Sequence, residues 1–216
     1  MRLDIRTPAR VPYEDALAWQ RDLVAERGRG AIPDTLLLVE HPPVYTVGRR
    51  EAEDRDVIQG VPVFRVDRGG RTTYHGPGQL VVYPIVDLDG FGRDLRGFVR
   101  FLEEAAIAVL GGYGLAAELR DGLPGVWVNE RKIAATGVRV SKVGGRWIVS
   151  HGLALNVSTD LSYFQSIAPC GLDPDSVTSM EVETGKTIDW QDVRQSFAVQ
   201  FTVRYKKSFY SKPIPR

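Results

Sequence analysis

The sequence predicts an α+β (α/β) fold, a largely mixed β-sheet flanked by helices, in one domain covering residues 1–216. Apolar residues recur at helical spacing early, midway and late in the chain, and short β-rich runs fill the stretches between. No internal repeat, low-complexity tract or obvious linker divides the 216 residues, and at that length one large domain is the better expectation.

Tyr13, Leu17, Gln20 and Val24 share one face with Leu23 beside them, which predicts a helix over 13–27 closed by Gly28 as its C-cap. The nearly continuous apolar run 35–40 reads as a buried strand, and a second strand over 44–47 follows the His41-Pro42-Pro43 turn. Runs 61–66 and 80–86 are two further strands on either side of a glycine-rich segment. Leu95, Phe98, Val99, Leu102, Ala106 and Val109 define the clearest helix, 94–110, which Gly111-Gly112 should end. Strands at 125–129 and 133–140 come next, and Val143-Gly144-Gly145 predicts a hairpin turn into a strand over 147–157. Helical spacing returns through Val193, Phe197, Phe201 and Tyr205.

Composition narrows the function. With 43% hydrophobic and 25% charged residues, the chain has enough apolar material to offset the entropy of ordering it, so disorder is not expected. No apolar run approaches the roughly 20 residues that span a bilayer. Residues 1–10, with Asp4 and three arginines, lack the apolar core of a secretory signal. One cysteine, Cys170, excludes an internal disulfide and a Cys-rich zinc site, so the cytoplasm is the expected compartment. His41, His75 and His151 show no metal-ligand spacing, and no metal is expected. The net charge of +1 hides an asymmetry: beyond Asp192, six basic residues and no acidic one follow, ending in a basic tail at about 204–216. Such a tail suits an acidic partner or nucleic acid, but a solvated terminus explains it equally well, so neither nucleic acid nor a membrane is expected as a partner.

The glycine-rich segment Arg68-Gly69-Gly70-Arg71-Thr72-Thr73-Tyr74-His75-Gly76-Pro77-Gly78-Gln79 joins two predicted strands. Its glycines let backbone N–H groups approach a ligand, and its arginines, threonines and histidine add donors. It is neither a Walker loop nor a dinucleotide fingerprint. Cys170 lies between Pro169 and Gly171 in a loop, where a lone cysteine is either a small buried residue or a presented nucleophile. An unperturbed thiol is only about 3% thiolate at pH 7, so a nucleophilic Cys170 needs a cation or base nearby. Lys132 precedes an apolar, strand-like run, the setting of either a desolvated lysine or a surface lysine at a strand start. His151 reads as a base or a satisfied core histidine, and His41 beside two prolines as structural.

In this order and spacing, Arg68 to Gln79, Lys132-Ile133-Ala134-Ala135-Thr136-Gly137, His151-Gly152-Leu153-Ala154-Leu155-Asn156 and Pro169-Cys170-Gly171 closely resemble the octanoyl-acyl-carrier-protein:protein octanoyltransferases, the lipoate-protein ligase B family. His41 to Gly48 fits the same family upstream, so the resemblance spans about residues 35–172. It implies the fold of the biotin and lipoate protein ligases and a Cys–Lys dyad carried onto Cys170 and Lys132. It implies an acyl pocket lined by Arg68, Gly69, Gly70, Arg71, Thr72, Thr73, Tyr74, His75, Ala135, Thr136, Gly137, Gly152, Leu153 and Ala154. Gly76, Gly78 and His151 would support it, with His75 and His151 positioning rather than moving protons. The implied donor is octanoyl-acyl carrier protein. The implied acceptors are apo lipoyl domains of 2-oxo-acid dehydrogenase E2 subunits and the glycine cleavage H protein. Exchange between thioesters needs no ATP and no cofactor, in keeping with the missing phosphate-binding signature. Two alternatives compete: an ATP-dependent lipoate or biotin ligase of the same fold, and a non-catalytic module that binds acyl carrier or lipoyl domains.

Overall fold

The computed structural model describes residues 2–8, 10–51, 53–168 and 173–210, without the side chains of 209 and 210. In chain order the elements are β1 (Leu3–Arg6), α1 (Tyr13–Gly28), β2 (Asp34–Val39), β3 (Val44–Val47), β4 (Val57–Ile58), β5 (Val61–Arg65), β6 (Thr73–His75) and β7 (Gln79–Asp87). There follow α2 (Leu95–Gly112), β8 (Ala117–Arg120), β9 (Leu123–Val128), β10 (Arg131–Val143), β11 (Arg146–Asn156), α3 (Met180–Thr184) and α4 (Trp190–Tyr210).

Seven strands form the main sheet in the order β1-β2-β7-β11-β10-β9-β8, antiparallel except for the β1–β2 pair. Because successive side chains on a strand face opposite ways, the central strands feed two cores at once. β2 sends Leu36 and Leu38 to one face and Leu37 and Val39 to the other; β7 divides Leu80, Val82 and Val86 from Val81, Tyr83 and Ile85. Phe98, Leu102 and Val109 of α2 and Phe197 and Phe201 of α4 cover the first face. Ala16, Leu23 and Val24 of α1 cover the second. A smaller sheet, β4-β5-β3-β6, carries a separate core of Tyr45, Val47, Tyr74 and Phe164. Among the described residues no helix is long and apolar enough to cross a membrane.

Two expected helix ends are corrected. Gly28 is the last helical residue of α1, not its cap; Arg29 caps the helix, and a Cβ at Gly28 would overlap the Val143 side chain. Glycine stands there for close packing. Gly111 and Gly112 likewise lie inside α2, which ends at Tyr113 before Gly114, the residue in the left-handed region at φ 78°. The expected hairpin turn does join β10 to β11 through Gly144 and Gly145, both at positive φ.

Candidate active site

Two of the quoted motifs become cross-strand neighbours. β10 pairs with β11 so that Ala135 faces Ala154, Thr136 faces Leu153, Gly137 faces Gly152 and Val138 faces His151. On the other edge of β11 the ladder to β7 runs to Val149–Val86 and resumes at Leu153–Val82. Pro84, which has no N–H to offer, sits in the gap. Within that gap His151 adopts φ 55° and donates its N–H to Gln20 Oε1 of α1 at 2.8 Å. Gly152 comes so close to β7 that a Cβ would run into the Val82 carbonyl oxygen and the Pro84 ring.

The small residues of this patch leave a cavity of about 40 Å³ under α1. Its wall is Tyr13, Val81 and Tyr83 together with Arg68, Gly70, Thr73, His75, Ala135, Thr136, Gly137, His151, Gly152, Leu153 and Ala154. A second cavity of about 20 Å³ is lined by Lys132, Gln79, Asn156, Phe164 and Val177, and shares Thr73, Ala135 and Ala154 with the first. The two therefore meet along one wall, with Lys132 at one end and Arg68 and His151 at the other.

Gly69, Arg71, Thr72 and Tyr74, expected in the lining, lie outside it. Period-two alternation on β6 turns Thr73 and His75 toward the cavity and Tyr74 away from it, into the small sheet's core, where it stacks on Tyr163 at 4.5 Å. Gly69 donates its N–H to the Val138 carbonyl at 3.0 Å and pins the loop to β10. Thr72 donates its N–H to Glu51 Oε2 at 2.6 Å, and Arg71 is exposed. Gly78 donates its N–H to Glu40 Oε1 at 2.7 Å, and Gly76 packs against the Tyr74 ring, so both shape the turn before β7.

Behind the cavity, hydrogen bonds fix every proton in a chain. Gln79 Oε1 can only accept, so His75 carries its proton on Nδ1 and donates it there at 2.7 Å. His75 Nε2 then accepts from Thr46 Oγ1 at 3.3 Å, and Thr46 Oγ1 accepts from Arg68 Nη2 at 2.8 Å. In the other direction Gln79 Nε2 donates to Asn156 Oδ1 at 2.9 Å, and Asn156 Nδ2 donates to the Thr178 carbonyl at 2.9 Å. His41 donates from Nδ1 to the Val11 carbonyl at 2.7 Å and accepts from the Tyr83 hydroxyl at 2.9 Å. All three histidines are held neutral. Burial above all, then His41 and nearby Arg68, lowers His75 to about 3. Burial lowers His41 to about 4, and burial with Arg68 and Arg139 lowers His151 to about 3. His151 donates from Nε2 to Asp67 at 3.1 Å, and Asp67 also pairs with Arg139. Burial raises the Tyr13 hydroxyl to about 12. None of these groups exchanges protons near neutrality.

Lys132 is buried where the β9–β10 pairing shifts register. Its ammonium lies 4.9 Å from the centre of the Trp127 ring. Gly125, at φ 120°, lets the lysine stem pass; a Cβ there would meet the Ala134 carbonyl and Lys132 Cε. The Lys132 carbonyl accepts from Thr178 N–H at 2.9 Å, tying β10 to the segment beyond residue 172. Cys170, with Pro169 and Gly171, lies outside the described residues.

Sequence reasoning missed several residues around this site. Gln79 and Asn156 each end a sequence motif without standing out as site residues, though a polar side chain at the end of a buried strand is itself a signal. Tyr13 reads as part of an apolar helix face, and Tyr83 as one more strand residue. Among the described residues no group of His, Cys, Asp or Glu is disposed to hold a metal.

A model of the lipoyl protein ligase A/B catalytic domain matches residues 12–202. The octanoyltransferase of Rubrobacter xylanophilus is 49% identical over 208 residues, covering 92% of this chain and 92% of its own. Among solved structures, the bipartite lipoate protein ligase of Thermoplasma acidophilum superposes with a TM-score of 0.67 at 16% identity, over 98% of this chain and 94% of that one. The biotin protein ligase of Aquifex aeolicus gives 0.57 at 16% identity, over 98% and 73%. These two likenesses establish the fold, that of the biotin and lipoate protein ligases. Close identity along nearly the whole length adds the narrower assignment: the chain belongs to the octanoyltransferase family of lipoyl protein ligase A/B catalytic domains.

Proposed function

We propose that the chain transfers an octanoyl group from acyl carrier protein to a specific lysine of a lipoyl domain, through a thioester on Cys170. Its acceptors are the apo lipoyl domains of 2-oxo-acid dehydrogenase E2 subunits and the glycine cleavage H protein. The observation that carries this is the cavity pair: an apolar space over Ala135, Gly137, Gly152 and Ala154 that meets a second space at Lys132. Phe164, six residues before Cys170, and Val177, seven after it, both line the space that holds Lys132.

The Cys170 thiolate attacks the thioester carbonyl of the donor. A new C–S bond forms, the bond to the carrier sulfur breaks, and the carrier leaves as its thiol with a proton from the medium. The acceptor lysine then attacks the Cys170 thioester as its free amine. Its excess proton passes to Lys132, an amide bond forms, and Cys170 departs as thiolate. Lys132 as ammonium favours the thiolate, and as amine it takes the acceptor's proton, so the pair titrates as a unit. Six buried methylenes would contribute roughly 5 kcal/mol to holding the acyl chain.

Intact mass after mixing with octanoyl-carrier protein, without ATP, tests this. One added octanoyl group, removed by hydroxylamine and missing from Cys170→Ser, is the expected result. Lys132→Ala should abolish transfer and keep the fold. Acylation of a lipoyl domain that requires ATP and survives Cys170→Ser would sink the reading.

A further inference from the structure

Below the cavity, α2 carries a carboxylate into the apolar interior. Glu103 is buried, as are its α2 neighbours Leu102, Ala105 and Ala106, and its Oε1 accepts the Gly125 N–H at 2.7 Å. Gly125 is the residue whose missing side chain lets the Lys132 stem pass. An acid in such a place is costly to bury unless it is bonded and compensated. One backbone N–H satisfies one lone pair of four. Among the described residues the charged groups around this corner are few. Arg120 of β8 lies 5.0 Å from the Trp127 ring centre and pairs with Glu118 at 2.9 Å. Arg131 turns to Glu183 at 2.7 Å, and Asp173 and Asp175 beside the 174–176 turn are exposed. Lys132 is the cation on the other side of Gly125: its Cε lies 3.2 Å from the place of a Gly125 Cβ, and Glu103 holds the N–H of the same residue.

We propose that Glu103 is a positioning residue for acyl transfer: its buried carboxylate fixes the Gly125 main chain and sets the charge state of Lys132. The inference rests on the reading in which Lys132 takes the acceptor's proton. Burial pushes the Glu103 carboxyl up, while the Gly125 N–H and the Lys132 charge pull it back. An ionised Glu103 holds Lys132 as ammonium in the resting enzyme, which favours the Cys170 thiolate. The acceptor's proton then arrives at a lysine that must first have released its own, so the second half-reaction accelerates with rising pH.

Glu103→Gln keeps an oxygen for the Gly125 N–H and removes the charge; Glu103→Leu removes both. Octanoyl-enzyme prepared from each protein is mixed with apo lipoyl domain in single turnover across the alkaline range. Loss of the anion should move the midpoint of the rising rate down by about one pH unit in both variants. The plateau should persist in Glu103→Gln and fall in Glu103→Leu. An unmoved midpoint in Glu103→Gln would reduce Glu103 to a clamp and overturn the proposal. A second reading does not depend on transfer: trace acetylation of the full chain with acetic anhydride reports the ionisation of Lys132 directly, and the same downward shift is expected. If wild-type protein forms no octanoyl-enzyme, the functional reading fails while this labelling still decides the role of Glu103. Should Glu103→Gln not fold, coupling is reciprocal. Lys132→Met should then raise the titration midpoint of the Glu103 carboxyl carbon by an equal amount, and an unchanged midpoint would overturn the pairing.

Discussion

Two buried polar clusters on the main sheet solve the same problem in opposite ways. At one end Arg27 Nε donates to Asp34 at 2.6 Å and Nη2 reaches Asp87 at 3.3 Å, while the Tyr205 hydroxyl donates to Asp34 at 2.6 Å. This cluster stitches α1, β2, β7 and α4 together with formal charges, each beside its opposite. Around the cavity the chain from Thr46 through His75 and Gln79 to Asn156 is neutral, each proton assigned to one atom. A charge pair tolerates burial only while both partners stay in place. A neutral chain can border a space that an acyl group enters and leaves, because none of its own members carries a charge; Arg68, the cation in the same lining, is held at Nη2 by the Thr46 carbonyl and hydroxyl oxygens.

Acid should break the neutral cluster first. A histidine unfolds to a pKa near 6.5 but is held near 3 to 4 here, so the unfolded chain binds more protons between those values. The stability present above pH 6.5 is lost as pH falls toward 3 to 4, by about 2 kcal/mol per histidine at pH 5. Urea unfolding at several pH values measures the slope. An uptake approaching three protons is expected, and an uptake below one would break the contrast. The charged cluster answers to substitution instead. Asp34→Ala leaves the Arg27 Nε and the Tyr205 hydroxyl in the interior without their acceptor, with only Asp87 still facing Arg27, and should cost about 3–5 kcal/mol in the same assay at neutral pH. A loss below 1 kcal/mol would mean that water replaces the carboxylate.

Much of this was legible in the sequence, and its gaps have physical causes. Helical and alternating periodicity locates α1, α2, α4 and the long strands, because burial on one face writes itself into spacing. The motif residues of β10 and β11 are legible as small residues in order, but their cross-strand register is not. It depends on the Gly144-Gly145 turn and on the ladder gap at Pro84, which turns His151 inward. The resemblance carries all of Arg68 to His75 into the acyl pocket, whereas the three-residue strand β6 has two faces and turns Tyr74 away. Glu103 was invisible. Its partner Gly125 is 22 residues ahead, and beside Glu104 in an amphipathic helix Glu103 reads as one of two solvent-facing acids.

Within the neutral cluster, Gln79 is the link whose loss reads on both stability and chemistry. Gln79→Leu keeps the volume, leaves His75 Nδ1–H and Asn156 Oδ1 without their partners, and should cost about 1–3 kcal/mol. Asn156 also holds the Thr178 carbonyl, and Thr178 N–H holds the Lys132 carbonyl, so the turnover number should fall as well. Wild-type turnover in a destabilised Gln79→Leu protein would separate the chain from the chemistry.

The smallest effect lies away from both clusters and calibrates them. Gly111 sits exposed in the last turn of α2 with nothing near the place of a Cβ, and Gly114 sits two residues beyond the helix at φ 78°. An alanine in a helix loses less conformational entropy than a glycine, so Gly111→Ala should stabilise by about 0.5–1 kcal/mol. An alanine in the left-handed region meets its own carbonyl, so Gly114→Ala should destabilise by about 1–2 kcal/mol. Neither substitution touches a buried polar group, so neither should alter the pH dependence that the histidines impose. Opposite signs in the pair would place the helix end at Gly114 rather than at Gly111-Gly112. An altered acid slope in either variant would show that the histidine cluster senses global stability rather than its own protons.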